Sequence, residues 1–374
     1  MSPNLKKRIF IICPYPLDTA PSQRLHYEQY LDFLGSQGYC FKVFPFFSTK
    51  SYFLLYKKGF YLQKVLAFLR GLLSRIMLIP ALPFIDGIYI HLNVIPLGPG
   101  IFEKIYIFLS KKVIYDINDM ILISRTSKAN AIVTRLKSTG RISFLLEYSN
   151  HVITCTPFLK QKADALNSSV TNIYTTVNTD LFRPSSRMFS GKEIVIGWSG
   201  SHSTAPYLHI LDDPLKRLAE KYSFLLLVMG PSSFSIPGVK IEVVPWSVDV
   251  ERNTFARMDI GLYPLPEDDW VKGKGGGKAL QYMANGIPTV ATLAGCNSDL
   301  IIDGVSGLLA RKQTDWFYLL ELLILDQGLR EKLGMAARNL VEKFYSVEAN
   351  KGTYLSIFEE VYGPTVHQAY SPIP

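Results

Sequence analysis

An α/β chain of two domains is what this sequence predicts, and three observations carry the expectation. Short continuous apolar runs alternate with stretches of helical periodicity, as parallel strands do when helices cover both faces of their sheet. At 374 residues the chain suits two domains rather than one or three. Twice, a strand-like run leads through small residues into a helix, an arrangement that offers free N–H groups to an anion. A hydrophobic content of 48% with 19% charged residues describes a globular protein, not a disordered one.

The first strand is residues 8–13. The basic residues before it and its short apolar run do not make a signal peptide, so a cytoplasmic protein is expected. Cys13, Cys40, Cys155 and Cys296 lie far apart without metal-binding spacing and read as reduced and mostly buried. A Pro/Ser-rich loop follows, then an amphipathic helix from about Ser22 with Leu25, Tyr30, Leu31 and Leu34 on its apolar side. Residues 41–47 are a second strand. Strand, loop, helix, strand is a βαβ unit, and its loop lies at the carboxyl edge, where open α/β sheets bind ligands. The loop lacks G-x-G-x-x-G, so it is not a dinucleotide fingerprint. Arg24 is either an acceptor-facing cation or a surface helix residue.

Residues 52–82 mix Lys57, Lys58, Lys64, Arg70 and Arg75 with leucines and aromatics. Arg70 and Arg75 cut the apolar run, so a spanning helix is not expected. Two readings stand: a core helix, which is favoured, and a helix resting on an anionic bilayer. Strands at 87–92 and 113–117 end in His91 and in Asp116-Ile117-Asn118-Asp119. A lone histidine such as His91 is more often a structural hydrogen-bonder than a catalyst. A strand at 151–155, a helix at 156–166 and a linker at 185–191 complete the first half.

The second half opens with a strand at 193–197 and the small-residue turn 198–204. Strands at 224–229 and 240–244 follow, the latter ending in Pro245-Trp246; residues 258–262 lead to the most informative stretch. There a loop, residues 268–277, holds Lys272, Lys274 and four glycines. A helix follows with Lys278, Leu280, Met283 and Ala284 at helical spacing, stopped by Gly286-Ile287-Pro288 before a buried strand at 289–292. Glycines let backbone curl around a ligand, and three lysines add point charge suited to phosphate. Residues 316–325, 329–344 and 347–362 read as helices. The net charge of +9 suits phosphorylated substrates, anionic lipid or nucleic acid. No basic stripe interleaved with aromatics, zinc pattern or helix-turn-helix appears, so nucleic acid is not the expected partner.

The stretch 273–284 resembles the nucleotide-sugar signature of GT-B glycosyltransferases, specifically the large retaining family 4. Most members carry two glutamates with seven residues between them; Gly273 and Gln281 stand in those places. A subgroup has Gly-Lys-x-Gly-x-Lys-x-x-Gln-Tyr-Met-Ala instead, which residues 273–284 match. Its opening, Pro-Tyr-Pro…Pro-Ser-x-Arg…Tyr-Glu-x-Tyr, matches residues 14–30, and its Asp-x-Asp-Asp nearly matches residues 116–119. The resemblance implies two Rossmann-like domains facing each other across a nucleotide-sugar cleft. Residues 1–184 would be the acceptor side, 192–345 the donor side, and 346–374 a helix crossing back and a tail, with residues 171–184 as the hinge passage.

The family implies a sugar moved from a nucleotide diphosphate to an acceptor hydroxyl with retention, in cell-surface polysaccharide or glycolipid assembly. Lys278, Asn118 and Asp119 are then the catalytic candidates. Gly200, Ser201, Pro245, Trp246, Lys272, Lys274, Gly275, Gly276, Gly277 and Gln281 are the donor-binding ones, and Tyr15, Arg24 and His91 face the acceptor. Members usually hold the diphosphate with an arginine and a lysine after the first strand of the second domain; both are absent, so the three lysines take that part. No metal ion and no cofactor beyond the donor is expected. The acceptor would be a saccharide or a lipid-linked saccharide, with peripheral membrane contact in the second case. Two rivals share the architecture: a nucleotide-sugar 2-epimerase, which needs acid–base carboxylates, and a non-catalytic nucleotide-sugar binder.

Overall fold

The computed structural model describes residues 6–55, 57, 59–118, 120, 140–185, 193–201 and 203–365. The chain divides into two compact units, Met1–Tyr174 with Lys351–Pro374, and Thr175–Asn350. The division falls before Thr175, so most of the expected hinge passage belongs to the second unit.

Each unit is built on a six-stranded parallel sheet. In the first, β1 (Lys7–Cys13), β2 (Tyr39–Pro45), β3 (Gly87–His91), β4 (Val113–Ile117), β5 (His151–Thr154) and β6 (Val170–Asn172) lie in the order β2-β1-β3-β4-β5-β6. In the second, β7 (Ile194–Ser199), β8 (Phe224–Met229), β9 (Ile241–Val244), β10 (Ile260–Tyr263), β11 (Thr289–Thr292) and β12 (Leu308–Ala310) lie in the order β12-β11-β10-β7-β8-β9. Read from β9 and counted within the unit, that is the doubly wound order 3-2-1-4-5-6. The order reverses between β1 and β3, where Ile9 pairs with Gly87, and between β7 and β10, where Ile196 pairs with Ile260. At such a switch point the crossovers diverge to opposite faces and leave a crevice beyond the strand ends. The central strands are apolar on both faces because both faces are covered; Ile88, Ile90 and Tyr115 are fully buried in one unit, and Ile196, Val228 and Ile260 in the other.

The expected strands are present with ends shifted by a residue or two. β6 and β12 are additional, each three residues long and too short to show a period. The helix expected from Ser22 is broken into Pro21–Arg24, a 3-10 turn at Tyr27–Tyr30, and Leu31–Ser36. The break falls at His26, whose backbone leaves helical geometry (φ −132°, ψ −119°) while its side chain is buried against Asp116. The final helix, Val347–Tyr362, belongs to the first unit from Lys351 on: Tyr354 stacks on Tyr30 at 4.0 Å, and the Tyr362 hydroxyl donates to the Ile88 carbonyl.

Core packing accounts for one side of residues 52–82, where Ala67 and Leu82 join the core and Phe68, Leu72, Leu78 and Ile79 pack against it, and leaves the other side exposed. The helix Tyr61–Leu78 buries Ala67, Gly71 and Arg75, while its leucines are mostly exposed. The close approach excludes a side chain at position 71: a Cβ on Gly71 would lie 2.6 Å from the Phe46 ring.

Candidate functional site

The second unit's switch point gathers most of the expected donor residues. After β7, Gly200 lies so close to its surroundings that a Cβ would sit 2.2 Å from the Trp198 ring. Side chain is excluded there, and backbone is left facing the crevice. The Ser201 N–H donates to Thr204 Oγ1 at 3.1 Å, and the Ser201 and Ser203 hydroxyls share a hydrogen bond of 2.8 Å. Into this turn reaches Lys278, whose Nζ donates to Thr204 Oγ1 at 3.1 Å. The same ammonium lies 5.1 Å from the Trp198 ring and 5.9 Å from the Tyr263 ring, over the ends of β7 and β10. Burial pulls the Lys278 pKa from 10.5 down to about 7, and the nearby Lys274 charge adds to the shift. A half-buried amine held by a hydroxyl and two rings is short of counter-charge, which an anion in the crevice would supply.

The glycine-rich segment is more ordered than a loop. Asp268 caps a 3-10 turn at Asp269–Gly273, its carboxylate accepting from the Trp270 N–H at 3.0 Å. Gly276 has φ +68°, and a Cβ there would lie 2.0 Å from Leu300, so this position requires glycine. Gly275 is half-buried beside it, and Gly277 starts the helix Gly277–Ala284. That helix closes with the Ile287 N–H on the Tyr282 carbonyl and the Gly286 N–H on the Met283 carbonyl, the left-handed glycine stop expected from Gly286-Ile287-Pro288. Lys274 lies 5.9 Å from the Trp270 ring. Lys272 is instead exposed and forms an ion pair with Asp269 at 2.6 Å, which sets it apart from Lys278.

Gln281 is buried, and its Nε2 donates to Glu251 Oε1 at 3.1 Å; the Trp246 indole N–H donates to the same oxygen at 3.0 Å. An ionised carboxylate only accepts, so the amide nitrogen must face it and the Gln281 oxygen is left as the acceptor. Sequence reasoning missed Glu251. It lies in the first turn of the helix Val248–Phe255, after the Ser247 cap, where an acid normally reads as a solvated dipole partner. The available signal was its place directly after β9 and Pro245-Trp246. Pro245 itself is exposed.

The first-unit candidates cluster around the short helix Pro21–Arg24. The Tyr15 N–H donates to Gln23 Oε1 at 3.0 Å, and Gln23 Nε2 donates to the Tyr15 carbonyl at 2.9 Å. Asn118 Nδ2 donates to the Ser22 carbonyl, and Arg24 is half-buried. Asp119, with Lys58 and His202, lies outside the described residues.

His91 does not present itself to an acceptor in this structure; it is fully buried at the end of β3. Asp116 Oδ2 receives the Tyr89 hydroxyl at 2.8 Å and lies 2.8 Å from His91 Nδ1 and 3.0 Å from His26 Nδ1. Burial alone would raise the Asp116 carboxyl; the charges and hydrogen bonds of His26 and His91 outweigh it and hold the group well below the usual carboxylate range. For His26, burial opposes the charged form, and Asp116 wins and raises its pKa. Asp116 is thus a buried anchor rather than an exposed member of an acidic motif. His26 is the second residue that sequence reasoning passed over. Among the described residues no three His, Cys, Asp or Glu side chains converge as metal ligands.

Neither a family model nor a curated protein sequence matches the chain. Solved structures do. Sucrose-phosphate synthase from Thermosynechococcus elongatus superposes with a TM-score of 0.69 at 12% identity, covering 95% of this chain and 98% of that one. A glycosyltransferase from Rickettsia africae gives 0.67 at 14% identity, covering 95% and 98%. HepE from Anabaena, solved in complex with UDP and glucose, gives 0.65 at 14% identity, covering 95% and 100%. The chain therefore has the GT-B fold of these proteins.

Proposed function

We propose that this chain is a retaining glycosyltransferase of family 4 that takes its sugar from a nucleotide diphosphate bound to the second unit. The observation that carries the reading is Lys278: a half-buried ammonium at the β7/β10 switch point, hydrogen-bonded to the Ser201–Thr204 turn. With the Gly200 backbone, Lys274 and the N–H groups of Gly276, Gly277 and Lys278, it would hold the diphosphate. The Gln281 oxygen would accept from the ribose, and Pro245 with Trp246 would flank the base. Tyr15 and Arg24 would face the acceptor, and Asn118 and Asp119 would act with Lys278 as catalytic residues.

In the reaction the bond from sugar C1 to the phosphate oxygen breaks, and its electron pair leaves with the diphosphate. The acceptor oxygen bonds to C1 on the same face, and its proton passes to the departing phosphate oxygen. The chemical demand is stabilisation of the leaving charge, which fixed cations and N–H groups meet without reorganisation. No metal ion or further cofactor enters this reading. The acceptor would be a saccharide in cell-surface polysaccharide or glycolipid assembly.

Uridine is the first base to try, because HepE was solved with UDP and with UDP-glucose. The melting temperature of the whole chain, measured with UDP, GDP and ADP, should rise with one of them. Incubation with the matching nucleotide sugar and an acceptor should then yield a glycoside. No shift with any nucleotide and no consumption of any nucleotide sugar would overturn the reading. Formation of a new nucleotide sugar without acceptor would favour an epimerase instead.

A further inference from the structure

The helix Tyr61–Leu78 is built inside out. Ala67, Gly71 and Arg75, spaced by four, form the stripe against the unit's core. Leu62, Leu66, Leu69, Leu73, Ile76 and Met77 are all between 47% and 71% exposed. At helical spacing those six fall within an arc of about 100°, on the side opposite the buried stripe. A soluble surface helix has the reverse arrangement, because exposing large side chains forfeits their burial.

The helix is long and apolar enough to cross a membrane, but its inner stripe forbids that. The Arg75 guanidinium donates to the carbonyls of Val94 at 2.8 Å, Phe44 at 3.0 Å and Cys13 at 2.9 Å. The last of these lies on β1, so the helix is tied to the sheet and cannot leave it as a span. What remains is a fixed helix offering a leucine face to something apolar.

The charge around it says what. From residue 33 to residue 85 the sequence holds no Asp or Glu, while Lys50, Lys57 and Arg70 are exposed. By its place on the helix Arg70 borders the leucine arc. An apolar face flanked by unopposed positive charge fits an anionic lipid surface: the side chains enter the acyl boundary and the cations meet headgroups. A second copy fits poorly, since facing two such surfaces would set like charges together. We propose that this face of the first unit docks on an anionic bilayer, with the helix lying in the interface plane. The proposal is independent of the glycosyltransferase reading, and its test uses no nucleotide.

Co-sedimentation of the whole chain with vesicles of phosphatidylcholine alone, and of equimolar phosphatidylcholine and phosphatidylglycerol, decides it. The parent should bind the anionic vesicles at low salt and be partly released at high salt, because salt screens the headgroup attraction. Lys57→Gln/Arg70→Gln should lower the anionic partition by about thirtyfold. Leu66→Gln/Leu73→Gln should abolish binding to both vesicle types while the melting temperature stays at the parent's value or above. The parent's own vesicle preference stands as evidence even if a variant fails to fold. No sedimentation of the parent, equal recovery from both vesicle types, or concentration-dependent dimers without vesicle binding would each overturn the proposal.

Discussion

The two sheets share one architecture and end in opposite electrostatics. Near the β1/β3 switch point of the first unit a fully buried carboxylate, Asp116, is closed in by Tyr89, His26 and His91. At the β7/β10 switch point of the second, a half-buried amine, Lys278, has a hydroxyl and two aromatic rings around it. In the first the buried charge has its partners inside the protein, so it anchors structure. In the second, burial and the neighbouring Lys274 charge lower the pKa, an imbalance that a negatively charged ligand would relieve. Buried charges near the switch points of two parallel sheets can thus be sorted into anchor and candidate site by asking where the counter-charge comes from.

Asp116→Asn should break that contrast most severely. Removing the carboxylate leaves buried imidazoles without their counter-ion, and about 3–5 kcal/mol of stability should be lost in a denaturant titration. A loss under about 1 kcal/mol would mean the network is not an anchor.

Lys278→Ala should do the reverse, leaving stability nearly intact and lowering kcat/KM by about 2–4 kcal/mol of transition-state stabilisation. Lys272→Ala, already paired with Asp269, should cost little, and equal effects from both lysines would merge what the structure separates.

The same contrast predicts opposite pH slopes. His26 has a raised pKa, so its contribution is fully present below about 6.5 and is lost as pH rises through the folded value. Lys278 has a lowered pKa, so the unfolded chain binds more protons between about 7 and 10.5, and stability rises with pH over that window. Melting profiles of His26→Gln and Lys278→Met against the parent should therefore converge on it for different reasons. The advantage of the parent over the first variant shrinks as pH rises from about 6.5 through His26's raised pKa. Any advantage of the second variant over the parent shrinks between about 7 and 10.5. Binding of a nucleotide sugar near pH 7 should take up about half a proton per site, readable by calorimetry in buffers of different ionisation enthalpy. No proton uptake would separate Lys278 from the diphosphate.

The smallest expected effect is at Gln281. Gln281→Leu should raise the donor KM severalfold, about 1 kcal/mol, by removing one acceptor. Glu251→Gln should do less, because an amide oxygen at position 251 can still receive the Gln281 and Trp246 donors. If neither changes KM, the Glu251 cluster only holds two helices together.

Local pattern alone determined the class of fold and most of its strands, because a strand buried on both faces needs an unbroken apolar run wherever it is placed. It also determined the turn and helix of residues 273–284, where the glycines and the helix stop follow from local backbone geometry: Gly276 and Gly286 both have positive φ. Tertiary structure alone decided which charged side chains turn inward. Asp116 and His26 are far apart in the chain, and only the strand order makes them partners; Glu251 reads as a surface acid until its helix sets it against Gln281. Lys278 was already set apart at the helix start, and the 3-10 turn decided only that Lys272 pairs with Asp269. The leucine face of Tyr61–Leu78 shows the same limit, since periodicity reveals that a helix has two faces but not which one the core will take. The core took the side with Ala67 and Gly71, because only small residues let the backbone come so close to Phe46.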